Sequence, residues 1–283
     1  MSGATRVIDA HAHFWDVERL TYPWIENGSP FDKTFSLEAY QQATRKAPIE
    51  KMVFVECDAA ADCSVREAEW VEGLSKRDGR IQGIVPRVPL TDGGDVKAKI
   101  EVMASKPLVK GVRDNIQGHD PGFALQDAFV SGVRLVGRMG LHFELCLTHG
   151  QMGEALELVE LCPDVSFVLD HCGKPGIRAA LREPWAAHVR KMAAFPNVVC
   201  KVSGLLTEAD WEQWTPDEIL WYARYAVDAF GSDRVLFGSD WPVNEVCGGF
   251  DKWYAVTEAL TAAWTASDRD RFYYSNAKRV YRL

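Results

Sequence analysis

The strongest constraint on the fold is a regular alternation of two kinds of segment along the 283-residue chain. Short runs rich in β-branched and aromatic residues, typical of buried strands, alternate with longer stretches whose apolar residues recur at helical spacing. The eight predicted strands are Val7–His11, Met52–Cys57, Ile81–Pro86, Val109–Arg113, His142–Leu147, Val165–His171, Val198–Ser203 and Val235–Asp240. The eight predicted helices are Leu37–Ala47, Ser64–Arg77, Val96–Ser105, Ala124–Met139, Met152–Cys162, Arg182–Phe195, Asp217–Phe230 and Lys252–Trp264. Successive strands begin about 32 residues apart, which is the length of one strand–helix unit.

Strands that alternate with helices pair in parallel through right-handed crossovers. Eight such units can close into a barrel, and an open doubly wound sheet is the alternative. An open sheet of that kind ordinarily carries a glycine-rich phosphate turn after its first strand, whereas His11-Ala12-His13 stands at that place. No linker rich in Ser, Gly and Pro divides the chain. We therefore predict an α/β fold, a single-domain (β/α)8 TIM barrel over residues 1–283.

Composition restricts the partners that the chain can bind. Asp and Glu number 40 against 32 Lys and Arg, so the net charge is −8, and no basic run exceeds two residues. Such a surface argues against a nucleic-acid partner. The seven cysteines are odd in number and lack a C-x-x-C pair, which favours reduced thiols. Neither a secretory signal at Met1–Arg6 nor an apolar run of about 20 residues is present, so we expect a cytoplasmic protein without a membrane partner. The oligomeric state stays open.

Residue types that bind metals stand at the end of the first predicted strand. Side chains alternate between the two faces of a strand, so Asp9, His11 and His13 are predicted to share one face. The residues expected on the other face are Ile8, Ala10 and Ala12. Two imidazoles two residues apart on an extended chain can both reach one divalent ion.

Two later strands end in further candidates. His171 ends the sixth predicted strand, and Asp240 ends the eighth, which neighbours the first strand only if the barrel closes. In a barrel, the carboxyl ends of the strands form one rim, and catalytic groups lie there. We therefore predict a site at this rim, with His11, His13 and Asp240 as ligands of a divalent metal.

Five motifs follow one another along the chain. They are Asp9–Asp16 with Tyr22-Pro23-Trp24 close behind it, Lys110–Arg113, Phe167–Pro175, Lys201–Trp211 and Phe237–Pro242. In content and order these motifs resemble the amidohydrolase superfamily. Within that superfamily they are similar to the sugar-lactone hydrolases, a group that includes L-fuconolactonase, L-rhamnonolactonase and 4-sulfomuconolactonase. The similarity extends nearly from end to end.

The resemblance implies an enzyme that hydrolyses a lactone, a cyclic ester, with a small sugar-derived aldonolactone as its expected substrate. Asp240 and His171 are then the expected catalytic residues, with Asp240 taking a proton from water. His11, His13 and His171 are expected around the lactone carbonyl. Several relatives use zinc and a pyrone-dicarboxylate lactonase works without a metal, so a divalent metal, zinc above all, is expected but can be dispensable. Either zinc or a cluster of imidazoles would stabilise negative charge on the carbonyl oxygen.

Five polar residues near the predicted rim are candidates for substrate binding. Arg113 and Gln117 either contact the substrate or make only structural contacts, such as a salt bridge from Arg113 to a neighbouring acid. Glu56 either binds hydroxyl groups or caps a loop. Lys201, on a buried strand, either pairs with an acid or reaches the rim. His149 follows the fifth strand and is either a metal ligand or a substrate contact.

Trp15, Trp24 and Trp241 lie beside the rim motifs, and their indole rings either pack on the C–H face of a sugar or belong to the core. One position departs from the relatives. A histidine often follows the Gly-x-Arg of the fourth strand in related sequences, whereas Asp114 stands here. We therefore expect altered substrate contacts at this loop.

Two other functions remain possible from the sequence. A metal-dependent decarboxylase acting on a small carboxylic acid has a related fold and shares the His-x-His and the final Asp. A barrel that binds a sugar acid without turnover is the third possibility. The sequence does not specify which lactone is opened, because ring size and stereochemistry depend on the geometry of the loops.

Overall fold

The structure is a computed structural model that describes residues 6–91 and 95–283. All eight predicted strands are present, several of them shorter than predicted. They are β1 (Val7–Ala12), β2 (Ile49–Val55), β3 (Ile81–Val85), β4 (Gly111–Arg113), β5 (His142–Leu145), β6 (Phe167–Leu169), β7 (Val198–Val202) and β8 (Val235–Phe237).

The strands form two parallel sheets, β1-β2-β3 and β4-β5-β6-β7-β8. Isolated bridges join the sheets where the ladders stop: Ile84 and Arg87 pair with residues at β4, and Ala12 pairs with Trp241 after β8. The strand ladder is therefore not continuous around the ring. The order of elements is that of a (β/α)8 barrel, as predicted. The single-domain prediction for 1–283 includes residues outside the described ranges and stays a prediction.

Among the described residues, one α-helix follows each strand, and two short α-helices lie near the end of the chain. The helices are α1 (Leu37–Ala43), α2 (Ser64–Ser75), α3 (Val96–Ala104), α4 (Asp127–Arg138), α5 (Met152–Leu161), α6 (Trp185–Ala194), α7 (Pro216–Phe230), α8 (Gly249–Thr261), α9 (Ala266–Asp270) and α10 (Asn276–Val280). Helix α7 shows how the sequence sets a boundary. Thr215 and Glu218 form a capping box, Pro216 takes the first helical position, and Gly231 ends the helix at φ +77°. Helices α9 and α10 were not predicted from the sequence.

The core has two parts. A large outer cluster lies between the strands and the helices, and a smaller inner cluster fills the barrel. The strand residues of the inner cluster are Ile8, Ala10, Val53, Val55, Val85, Val168 and Leu236. Tyr274, Ala277 and Tyr281 of the C-terminal segment pack against them. The unpredicted end of the chain thus supplies part of the barrel interior.

Strand β1 is irregular. Asp9 pairs with Met52 and Ala12 pairs with Phe54, so three steps along β1 match two along β2. This register shift is a β-bulge, and it reverses the side-chain alternation beyond it.

The bulge makes one part of the predicted face assignment wrong. His11 and His13 do share a side, but Asp9 faces outward and accepts a hydrogen bond from Tyr40 of α1 at 2.9 Å. Ile8 and Ala10 face the inner cluster, whereas Ala12 packs in the outer one. Strict alternation cannot hold through an inserted residue, which is why the prediction failed at Asp9.

All seven cysteines are unpaired and buried, as expected for reduced thiols. In the part of the chain that the structure describes, no helix has both the length and the apolar character to cross a membrane. Most of the Met1–Arg6 segment, to which the prediction of no secretory signal applies, lies outside the described residues.

Candidate active site

Four predicted residues meet at the carboxyl ends of the strands. His11 and His13 come from the end of β1, His171 follows β6, and Asp240 follows β8. The Nε2 atoms of His11 and His13 lie 3.1 Å apart. Oδ1 of Asp240 lies 3.4 Å from Nε2 of His13, 3.8 Å from that of His11 and 3.9 Å from that of His171. His11 and Asp240, which are 229 positions apart in the chain, are thus brought to a single cluster.

Each imidazole is fixed through its other nitrogen. Nδ1 of His13 donates to the carbonyl of Val55 at 2.8 Å. Nδ1 of His171 shares a hydrogen bond of 2.9 Å with the hydroxyl of Ser203. Nδ1 of His11 lies between charged groups beneath the site. All three Nε2 atoms are therefore directed to the carboxylate of Asp240.

The backbone around this cluster is unusual. His171 and Asp240 have φ of 52° and 58°, in the left-handed region that residues with a Cβ rarely adopt. Gly204, at φ +61°, packs against the His171 ring and the Asp240 carboxylate so closely that a Cβ would overlap them. Strain of this kind persists where surrounding contacts enforce it, and it is common at functional sites.

Protonation states follow from burial and from neighbouring charges. Burial opposes ionisation of Asp240, but His171, His13 and His11 outweigh it and hold the pKa of this carboxyl below its ordinary value. Burial lowers the pKa of His171 to about 4, although Asp240 acts in the opposite direction. Burial and Lys201 lower the pKa of His11 well below its ordinary value. At neutral pH, the cluster thus combines a carboxylate with neutral imidazoles at positions 11 and 171.

The donor set fits a divalent metal. His11, His13 and Asp240 each offer one atom, and these atoms all lie within 4.8 Å of one another. His11, Asp170 and His171 form a second such group. Two imidazoles with one carboxylate are a ligand set that catalytic zinc sites use, and the fourth position is left for water or substrate. These residues therefore suit a zinc ion.

A network of buried charges lies beneath the cluster. Lys201 Nζ is 2.5 Å from Glu144, 3.1 Å from Asp170 and 3.2 Å from Nδ1 of His11. Arg113 lies 2.5 Å from Glu56 and 3.2 Å from Asp170. Lys201 is fully buried. The predicted substrate contact of Lys201 is wrong, because its ammonium is enclosed by acids below the pocket.

A cavity of about 230 Å³ opens above the cluster. Three predicted substrate-binding residues line it, Glu56, Arg113 and Gln117, as does Trp24. Glu56 and Arg113 are paired with each other, and Glu56 also accepts the backbone N–H of Asp58 at 2.6 Å. The structural contacts that were the alternative roles for Glu56 and Arg113 are thus present. The contact of these residues with substrate stays a prediction.

Three other residues that were predicted to bind substrate do not line this cavity: Trp15, Trp241 and His149. Trp15 is fully buried and donates to the carbonyls of Phe31 and Lys33. Trp241 is 2% exposed and packs on Tyr40. The substrate role predicted for both indoles is wrong, because they pack in the core.

His149 binds the carbonyl of Lys174 through its backbone N–H and through Nδ1, both at 3.2 Å. Neither candidate metal group contains His149. A direct contact of His149 with a metal or with substrate stays a prediction.

Several residues of the cavity were not predicted from the sequence. Lys174, Asn115 and Thr207 all line it. Lys174 lies three positions after His171 in the same motif, a signal that the sequence analysis did not use. Asp114 does not line the cavity but accepts the backbone N–H of Leu90 at 2.8 Å. Any effect of Asp114 on substrate is therefore indirect.

Comparison with known proteins places this site in a wider context. A family model described as amidohydrolase matches residues 8–283. The L-fucono-1,5-lactonase of Burkholderia multivorans is 29% identical over 99% of this chain and 97% of its own length. The L-rhamnono-gamma-lactonase of Scheffersomyces stipitis is 23% identical, covering 98% of this chain and 99% of its own. A crystal structure of an amidohydrolase from Burkholderia multivorans with bound zinc has a TM-score of 0.88 at 27% identity, covering 98% of this chain and 99% of that one.

Proposed function

This chain belongs to the amidohydrolase family, and we propose that it is a lactonase that opens a sugar-derived cyclic ester by hydrolysis. The observation that carries the proposal is the ionised Asp240, 3.4 to 3.9 Å from three imidazoles at the floor of a cavity. The full-length similarity to two sugar-lactone hydrolases supports the choice of substrate class. The indole of Trp24 in the cavity wall suits the C–H face of a sugar ring.

In the proposed mechanism, Asp240 is the general base. Its carboxylate takes a proton from water as the water oxygen attacks the lactone carbonyl carbon. The electron pair of the C=O bond moves to the carbonyl oxygen, which His171 stabilises from beside Asp240. The tetrahedral intermediate then breaks its ring C–O bond. The leaving alkoxide takes the proton back from Asp240, and the product is the open hydroxy acid.

His11, His13 and Asp240 are the residues that would hold a divalent metal, with zinc as the ion their donor atoms favour. When bound, such an ion supplies a Lewis acid that polarises the ester carbonyl and favours ionisation of water. The contacts of Val55 with His13 and of Asp170 with His11 direct the two rings to this position. The zinc-bound amidohydrolase structure supports this assignment.

A panel of aldono-1,4- and aldono-1,5-lactones, followed by acid release with and without a chelator, tests the proposal. We expect hydrolysis of at least one lactone, and loss of activity on chelation if the metal is required. Failure to open any lactone would overturn the proposal. Release of carbon dioxide from small carboxylic acids in a parallel assay would favour the decarboxylase alternative instead.

A further inference from the structure

A left-handed turn follows β6. His171, Cys172, Gly173 and Lys174 have φ of 52°, 53°, 72° and 44°. Three of these four residues carry a Cβ, for which this region is unfavourable, and they occur here almost in succession. Surrounding contacts must therefore enforce the conformation, and the fold retains it despite its cost.

The contacts that hold the turn come from several elements. The carbonyl of Cys172 accepts the indole N–H of Trp185 in α6 at 2.8 Å. The thiol of Cys172 donates to the carbonyl of Lys201 in β7 at 3.5 Å. The carbonyl of Lys174 accepts both the backbone N–H and the ring N–H of His149. Each of these contacts involves main-chain atoms of the turn or the side chain of Cys172. None of them uses the side chains at the two ends of the turn, which can therefore face the pocket.

The turn presents both end residues, His171 and Lys174, to the same cavity. Nζ of Lys174 donates to Oε1 of Gln117 at 2.6 Å, which uses one of its three N–H groups. Among the described residues, no carboxylate oxygen lies within 4 Å of this nitrogen. Lys174 therefore differs from Arg113 and Lys201, whose charges are directly paired.

The charge of Lys174 is retained in the pocket. Burial lowers the pKa of Lys174, but the opposing effect of Cys146, Glu208 and Asp240 is larger. The pKa of Lys174 therefore lies above its ordinary value. A permanent ammonium with spare hydrogen-bond donors thus lies near Asp240 and His171. Ester hydrolysis builds negative charge on oxygen at this place, and a fixed cation beside the reacting ester stabilises such charge.

We propose that Lys174 is a catalytic residue whose ammonium donates a hydrogen bond to the oxygen of the reacting ester that becomes negative as water attacks. This inference rests on the proposed lactone hydrolysis. Lys174 keeps its proton throughout, while Asp240 carries the proton from water to the leaving alkoxide. Gln117 and His149 are positioning residues, since the first binds the ammonium and the second binds the carbonyl of the turn.

The rival role for Lys174 is recognition of a hydroxyl or carboxylate substituent on the substrate. Lactones with the same ring but successively fewer hydroxyl groups, down to δ-valerolactone, separate the two roles. A reacting ester is common to the whole series, whereas a substituent is not. The comparison uses the least substituted lactone that the wild-type enzyme opens.

The variant is Lys174→Met, with Lys174→Arg as the version that keeps the charge. Lys110→Met is the matched control, because the ammonium of Lys110 donates to the carbonyl of Pro107, near the opposite end of the barrel. We expect Lys174→Met to lower kcat by at least about 100-fold on every lactone of the series, as for the loss of one oxyanion donor. Lys174→Arg is expected to be intermediate. Metal content and the unfolding transition are expected to stay at wild-type values.

Each other outcome is decisive. A loss confined to hydroxylated lactones would show that Lys174 binds a substituent, and unchanged rates would show that it has no role; both overturn the inference while lactone hydrolysis stands. If the wild-type enzyme opens no lactone, the proposed function fails and this inference fails with it. If Lys174→Met does not fold, Lys174→Gln replaces it. Failure of both variants to fold would assign Lys174 to the structure alone and overturn the proposal.

Discussion

Replacement of Lys201 by methionine tests the buried charge network under the site. Its ammonium lies between Glu144 at 2.5 Å and Asp170 at 3.1 Å, and all three side chains are fully buried. Methionine has nearly the same length and no charge, so the variant leaves two buried carboxylates without their shared cation. Asp170 keeps Arg113 at 3.2 Å, and Glu144 keeps the hydroxyl of Tyr281 at 2.7 Å.

The expected cost follows from this geometry. Removal of one partner of a buried ion pair costs about 3 to 5 kcal/mol, because the remaining charge is left in a medium that solvates it poorly. We expect the lower half of that range, since Asp170 keeps its contact with Arg113 and Glu144 keeps its contact with Tyr281. For a chain of this size, each kcal/mol lowers Tm by about 2 to 4 °C, so the expected fall in Tm is on the order of 10 °C.

Urea unfolding followed by circular dichroism measures this difference. The double variant Lys201→Met with Glu144→Gln is expected to recover part of the loss, because the unpaired carboxylate is removed with the cation. The control is Lys191→Met on the exposed side of α6, which is expected to change the free energy of unfolding by less than about 0.5 kcal/mol. A loss below about 1 kcal/mol for Lys201→Met would refute the reasoning.

Three further predictions address pH, metal and substrate. Burial raises the pKa of Asp114 to about 7, so its contribution to stability is complete below about pH 4 and is lost as the pH rises through 7. The difference in free energy of unfolding between Asp114→Asn and the wild type is therefore expected to shift in favour of the variant between pH 5 and pH 8. The expected shift is up to a few kcal/mol, at about 1.4 kcal/mol per pKa unit. An equal difference at the two pH values in urea unfolding would contradict this. His11→Ala combined with His13→Ala is expected to abolish zinc binding by elemental analysis, and unchanged zinc content would reject the ligand assignment. Trp24→Ala is expected to raise KM for a sugar lactone several-fold with little change in kcat, and a fall confined to kcat in steady-state kinetics would contradict a binding role.

The sequence predicted the fold well where the signal is periodic. Strands buried on both faces read as short β-branched runs, and the helices between them show regular apolar spacing, so all eight units were located. The rim rule then brought His11, His13, His171 and Asp240 together. That prediction depended only on which end of each strand a residue occupies.

The errors have local causes that a pattern does not reveal. The bulge in β1 turned Asp9 away from His11, since one inserted residue reverses alternation. Trp15 and Trp241 lie next to rim motifs in the chain, but their indole rings are buried in the core. Lys174 was missed because its access to the cavity depends on a left-handed turn, which a sequence without glycine at most of the turn positions does not suggest.

The central claim is that Asp240, brought to the paired imidazoles of β1 from the far end of the chain, moves the proton during lactone opening. The most direct measurement is kcat of Asp240→Asn on the best lactone of the panel, beside Asp164→Asn on the exposed surface as control. The account predicts a fall of at least about 100-fold for Asp240→Asn, with an unchanged unfolding transition and a control equal to wild type. A rate for Asp240→Asn within a few-fold of the wild type would contradict it.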